Sequence, residues 1–282
     1  MSSKLLSHPA ALCNIVRRAA VEAGELILEY FDGIRDMEHI SKTDGSPVTC
    51  ADKEAEKLIE KALYGVFADI PVVGEESFAN GKRINFADNE YFWLVDPLDG
   101  TKAFIRGEGD FTVNIALVKD SEPILGVIYA PEKGDMYAGF INEDGSARAL
   151  RFFEDSNNEK TIRSRKMPRD GLNVMSSNYH GGSAAQDAFL ESFKVKKITR
   201  QASSLKICAV ASGRADIYPR FGSTCEWDTA AGHAILRAAG GDIVDMNGKP
   251  LRYGGAHPDL LNPHFIAASS DLLNAMQLNE NQ

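Results

Sequence analysis

Apolar residues recur three and four apart at Leu12, Ile15, Val16, Ala19, Ala20, Ala23, Leu26, Ile27 and Tyr30. That spacing predicts a helix over residues 12–31 with one buried face. Gly33 follows and suits a helix stop. Residues 39–47 are polar and rich in Lys, Asp, Gly and Ser, which reads as a loop or a loose hairpin. A second helix is predicted over 51–67, with Leu58, Ile59, Ala62, Leu63 and Val66 inward. Thr49 stands as its N-cap, with Asp52 three residues on, the spacing of a capping box. Residues 71–73 form a short strand candidate that ends at Gly74.

The period then changes. Residues 91–95 read as a buried strand, followed by strand-like runs over 111–118, 123–129 and 136–140. Their separators, Lys119 to Glu122, Glu132 to Asp135 and Asn142 to Gly145, are too short for helical crossovers and predict antiparallel hairpins. Residues 152–170 are polar and charged and read as a mobile connection. Beyond it, strands are predicted over 173–176, 195–198, 215–218 and 242–244, with helices over 184–193, 205–211 and 228–239. The expectation is an α/β protein: an α+β part over 1–150 with an antiparallel sheet, and an α/β part over 151–282. A layered αβαβα sandwich accommodates both.

Composition narrows the function. Over 282 residues, 44% are hydrophobic and 25% charged, as in a folded globular chain. The formal charge of −9 argues against a dedicated nucleic-acid binder, which needs a basic face. A small phosphorylated substrate stays open, because metal ions supply positive charge locally. Cys13, Cys50, Cys208 and Cys225 are scattered without a CxxC pair, so neither a thiolate zinc site nor a disulfide framework is expected. No apolar run approaches the ~20 residues of a membrane span. A cytoplasmic protein is expected, with peripheral association at the cytoplasmic membrane face left open, as is the choice between monomer and homodimer.

The densest chemical signal is Trp93-Leu94-Val95-Asp96-Pro97-Leu98-Asp99-Gly100-Thr101. An apolar strand delivers two carboxylates into a turn containing Pro and Gly. Pro97 holds Asp96 extended, Gly100 permits close backbone approach, and a short helix is predicted to start at Thr101. Such a start suits an anion. Glu75 follows a strand in Gly74-Glu75-Glu76-Ser77, and Asp228 begins a helix in Trp227-Asp228-Thr229-Ala230-Ala231-Gly232. Hard oxygen donors of this kind suit Mg²⁺ or Mn²⁺. Each also has a plainer reading: Asp228 as an N-cap, Asp52 as a capping-box member, Glu75 and Glu76 as solvated charge, and residues 96–101 as a simple turn.

The stretches Trp93 to Thr101 and Trp227 to Gly232, with Gly74 to Ser77 and Pro47 to Asp52, resemble four signatures of the inositol monophosphatase family, in the same order along the chain. Within the family the resemblance is greatest to its 3′(2′),5′-bisphosphate nucleotidase branch, through Phe111 to Leu117, Pro123 to Pro131, Ser203 to Lys206 and Tyr218 to Gly222. Ala202 stands where that branch usually has Gly, and Cys225-Glu226 also departs from its pattern.

The resemblance implies two or three Mg²⁺ ions, replaceable by Mn²⁺, with sensitivity to Li⁺. Glu75, Asp96 and the Leu98 carbonyl would hold the first ion, and Asp96, Asp99 and Asp228 the second. Thr101, paired with Asp52, and Glu75 would serve the attack of a metal-activated water. Leu98, Asp99, Gly100, Thr101, Ser203, Ser204, Lys206, Arg220 and Asp228 would face the substrate. That substrate is expected to be adenosine 3′,5′-bisphosphate, giving AMP, or its phosphosulfate relative. An inositol or sugar phosphatase, and a non-catalytic metal- or phosphate-binding regulator, are the alternatives.

Overall fold

The computed structural model describes residues 5–35, 39–41, 47–153, 158–178, 183–255 and 257–280. Helix α1 (Pro9–Phe31) starts ahead of the apolar series. Pro9 presets a first-turn φ, and its missing N–H has no partner to lose there. Strands β1 (His39–Ser41) and β2 (Pro47–Thr49) pair antiparallel, as a loose hairpin would; residues 42–46 of the predicted loop lie outside the described residues. Helix α2 (Cys50–Val66) follows directly.

Seven strands form the first sheet, in the order β3 (Val72–Gly74), β4 (Tyr91–Asp99), β5 (Thr112–Lys119), β6 (Glu122–Ala130), β7 (Asp135–Ile141), β8 (Ala147–Phe153) and β9 (Asn158–Thr161). From β4 to β9 every pairing is antiparallel, as the short polar separators require. Helices α3 (Glu75–Ala79) and α4 (Thr101–Ile105) sit in its connections. The stretch read as a mobile connection instead contributes β9, which pairs along β8; its residues 154–157 lie outside the described residues.

The second sheet runs in the order β11 (Val195–Gln201), β10 (Leu172–Ser177), β12 (Ile217–Arg220), β14 (Phe265–Ser269), β13 (Gly241–Asp245). Helices α5 (Ala184–Leu190), α6 (Leu205–Ala211), α7 (Glu226–Ala238) and α8 (Ser270–Glu280) accompany it. Helix α5 is shorter than predicted, and β12 lies two residues further on, through Pro219. The proline is tolerated because β12 meets β10 only at Ile217, so its absent N–H breaks no parallel ladder. Strand β14 and helix α8 were not predicted: Phe-Ile-Ala-Ala-Ser carries too little alternation to announce a strand by itself.

Strand periodicity sorts the side chains into layers. On β4, Trp93 and Val95 join Val16, Ile27 and Ile59 of α1 and α2, while Phe92 and Leu94 turn to the opposite core with Ala231 and Ile235 of α7. On β14, Phe265 and Ala267 enter that same central core, and Ile266 and Ala268 pack with Leu190 and Leu272 of α5 and α8. The order is therefore α1/α2, first sheet, α6/α7, second sheet, α5/α8: an αβαβα sandwich. Burial of each large core side chain contributes roughly 1.5–3 kcal/mol. The sandwich places the C-terminal end of β4 against the starts of α6 and α7.

Candidate active site

Strand β4 does not stop at Val95 but runs on through Asp99, and its pairing with β5 breaks register at the end. Asp96 lies opposite Asn114, and Asp99 opposite Thr112. Three steps along β4 thus match two along β5, one extra residue, as in a bulge. In a regular strand Asp96 and Asp99 would point to opposite faces. The extra residue restores the phase, so both face the side that α6 and α7 cover. Gly100 then turns left-handed at φ 95, where an added Cβ would lie 2.8 Å from the Asp110 carbonyl; only glycine fits both demands.

Glu75 opens α3 and is held from behind. The buried Glu56 carboxylate on α2 accepts the N–H groups of Glu76 and Ser77, each at 2.7 Å. Gly74 has no Cβ because one would come within 2.3 Å of that carboxylate. Phe78 of α3 packs on Trp227 of α7 at 5.3 Å between ring centroids, which ties the Glu75 helix to the Asp228 helix. Asp228 is the third residue of α7 rather than its N-cap; its Oδ2 accepts the Cys225 N–H at 2.8 Å. Asp52 combines both of its expected roles. Its Oδ2 accepts from Thr49 N and Oγ1 at 2.8 and 2.6 Å, closing the capping box, and its Oδ1 accepts from Thr101 Oγ1 at 3.4 Å. Burial pushes the Asp52 carboxyl up to about 7.

Across the opening stands a different chemistry. Ser203 adopts φ 54, a left-handed conformation uncommon for a residue with a side chain. Its carbonyl accepts from Lys206 Nζ. Lys206 is buried, which pulls its amine down to about 8. Arg220, 8% exposed, donates Nη2 to the Ser223 carbonyl at 3.0 Å, while its buried Nε has no partner among the described residues.

Glu75, Asp99, Gly100, Thr101, Ser203, Ser204, Lys206, Arg220 and Asp228 line one cavity of about 250 Å³. Asp52, Asp96 and Leu98 are buried and are not among its lining residues; Asp96 Oδ1 accepts the Leu98 N–H at 3.1 Å. Thr101 Oγ1 also reaches the Leu98 carbonyl at 3.1 Å. Among the described residues no three His, Cys, Asp or Glu side chains are drawn into a tight metal-binding group. The donor set nevertheless fits a hard cation. Burial, then the charges of Asp99 and Glu75, push the Asp228 carboxyl well above the usual carboxylate range, the repulsion that a bound cation relieves.

Sequence reasoning passed over Glu56 and Asn114. Glu56 was legible as a carboxylate on the apolar stripe of α2, four residues after Asp52 and three before Ile59. Asn114 was legible as an amide inside the apolar run of β5.

The sequence pattern of the inositol monophosphatase family matches residues 9–281, and the chain belongs to that family. The chain is 42% identical over 254 residues to the 3′(2′),5′-bisphosphate nucleotidase CysQ of Shigella flexneri, covering 90% of this chain and 96% of that protein. To the CysQ of Escherichia coli strain K12 it is 41% identical over the same span and coverage. The crystal structure of CysQ from Bacteroides thetaiotaomicron superposes with a TM-score of 0.71 at 34% identity, covering 92% of this chain and 97% of the other.

Proposed function

We propose that this protein is a Mg²⁺-dependent phosphomonoesterase that removes the 3′-phosphate of adenosine 3′,5′-bisphosphate, giving AMP, and acts likewise on the 5′-phosphosulfate analogue. The observation that carries this reading is the pairing of an acidic wall (Glu75, Asp99, Asp228) with a basic one (Lys206, Arg220) around a single cavity. A doubly phosphorylated nucleotide needs both: one phosphate for the chemistry, the other for recognition. The CysQ relatives support the substrate class.

Glu75, Asp96, Asp99, Asp228 and the Leu98 carbonyl are the groups that would hold the cations. When bound, the cations would supply Lewis-acid stabilisation of the charge that develops on the transferring phosphoryl group. Thr101 Oγ1 takes up a proton from the attacking water as it passes its own proton to Asp52 Oδ1. A carboxyl lifted to about 7 is matched to such a proton at neutral pH. The water oxygen bonds to phosphorus as the bond to the ribose 3′-oxygen breaks in line, and that oxygen leaves with a proton from solvent. The amides of Gly100, the N-cap of α4, and of Thr101, its first residue, would receive phosphate oxygens. Lys206 and Arg220 Nε would receive the second phosphate, where a guanidinium gains from planar, charge-assisted bonds. Among the described residues no helix is long and apolar enough to cross a membrane.

The test is phosphate release from adenosine 3′,5′-bisphosphate and from inositol 1-phosphate at equal Mg²⁺. A strong preference for the bisphosphate is expected. Preference for the inositol ester would reject the substrate assignment, and no release from either would reject the hydrolase.

A further inference from the structure

The proposed hydrolase leaves one well-built feature without a purpose: a buried amide and a serine that converge on a single oxygen of Asp99. Asp99 Oδ2 accepts from the Ser204 N–H at 2.6 Å and from Ser204 Oγ at 2.8 Å. Asn114 Nδ2 donates to Ser204 Oγ at 2.8 Å and lies 3.5 Å from the same Asp99 oxygen. We propose that Asn114 and Ser204 form a hydrogen-bond relay that positions Asp99 for cation binding, and that the Ser204 hydroxyl serves this purpose rather than contacting substrate. The inference rests on the reading of Asp99 as a metal ligand.

The chemistry of the donors fixes the direction of the relay. A serine hydroxyl has one proton. Two acceptors lie within reach of it, Asp99 Oδ2 at 2.8 Å and the Asp228 carbonyl at 3.0 Å. A carboxylate oxygen is a stronger acceptor than a peptide carbonyl, so the proton points to Asp99. Ser204 Oγ must then accept from Asn114, whose Nδ2 carries two protons and faces that oxygen. Among the described residues, all three donors fall on Oδ2 and none on Oδ1. Rotation of the carboxylate is thereby arrested, with one oxygen saturated and the other left for the cavity that Asp99 lines.

Placement supports the same conclusion. Asn114 is 1% exposed, between Val113 and Ile115, where a plain hydrocarbon would be easier to bury. Its Oδ1 is buried and has no partner among the described residues, so the position keeps an amide whose donor end alone is used. The relay also joins two layers. Asp99 and Asn114 belong to the first sheet, and Ser204 is the N-cap of α6 in the central layer. The left-handed turn at Ser203 presents the Ser204 N–H to Asp99, which gives its uncommon φ a function.

Three variants test this: Ser204→Ala, Ser204→Thr and Asn114→Leu. The primary readout is Mn²⁺ uptake by substrate-free protein, followed through the electron paramagnetic resonance signal of free Mn²⁺. Thermal melting verifies that each variant folds. Loss of an outer partner of a ligand typically weakens metal affinity about 10–100-fold, and that range is expected for Ser204→Ala. Ser204→Thr, which keeps both donors, should bind as wild type does. Combining Ser204→Ala with Asn114→Leu should add little, because the two act in series. KM for adenosine 3′,5′-bisphosphate at saturating metal should stay within about threefold of wild type, since uniform binding is untouched. Unchanged Mn²⁺ uptake by Ser204→Ala together with a raised KM would overturn the relay and make Ser204 a substrate contact. Should Asn114→Leu not fold, Ser204→Ala alone decides. Wild-type protein that takes up no Mn²⁺ would overturn the metal reading itself, a result separate from failure of the relay.

Discussion

The acidic and basic walls of the cavity are built on opposite physical terms. Glu75, Asp99 and Asp228 each stand at an element boundary: a helix start, a strand bulge and a helix first turn. Their neighbours are satisfied by hydrogen bonds that keep like charges apart at fixed positions. Lys206 and Arg220 are instead sunk into the second half of the molecule, one buried on α6 and the other at the end of β12. The acidic wall carries repulsion that a cation removes, whereas the basic wall carries desolvation that an anion removes. On the proposed reading, such a site is completed by both a metal and a phosphate, and neither wall alone would select a bisphosphate.

The comparison breaks most sharply on removal of metal. Treatment with a chelator should abolish phosphate release, and added Mg²⁺ should restore it; release that persists without divalent cations would sink the acidic wall as a cation site. Next in size is Asp99→Asn, expected to lower kcat by about 10³-fold, roughly 4 kcal/mol of transition-state stabilisation, with the melting temperature held or raised as one repelling charge is lost.

Arg220→Ala should act differently. Removing a charged hydrogen-bonding group costs about 1.5–3 kcal/mol. The loss should appear as a raised KM for the bisphosphate, with hydrolysis of a monophosphate substrate nearly unchanged. Equal losses on both substrates would erase the division of labour between the walls.

The smallest effect concerns pH. Burial depresses the Lys206 amine in the folded chain to about 8, from an ordinary value near 10.5. Between these limits the unfolded chain holds a proton that the folded chain has released, so stability contributed at this position rises with pH across 8 to 10.5 and is lost as pH falls through 8. In chelator-treated protein, wild type should therefore gain melting temperature relative to Lys206→Met over that interval. A difference that stays flat would mean the amine is not desolvated.

The distinction between the walls was partly legible in the chain. The two carboxylates after an apolar strand and the acid in the first turn of a helix announce themselves, because strand ends and helix starts carry local sequence rules. Glu56 and Asn114 did not. A carboxylate on an apolar stripe and an amide in a strand stand out from their surroundings, but their roles are set only by partners 20 and 90 residues away. The same holds for β14, whose small residues become a strand only between β12 and β13.

By itself, then, the sequence determined the helices and hairpins with strong period, the layered α/β class, the family and the acidic residues at element boundaries. Each of these depends on contacts a few residues apart or on a pattern held in one stretch of chain. The tertiary structure alone decided that Asp96 and Asp99 share a face, since that follows from one extra residue measured against a neighbouring strand. It also decided that Ser204 belongs to Asp99, that Glu56 stands behind Glu75, and that the acidic and basic walls meet. These depend on distances between segments remote in sequence, set by how two sheets close over α6 and α7.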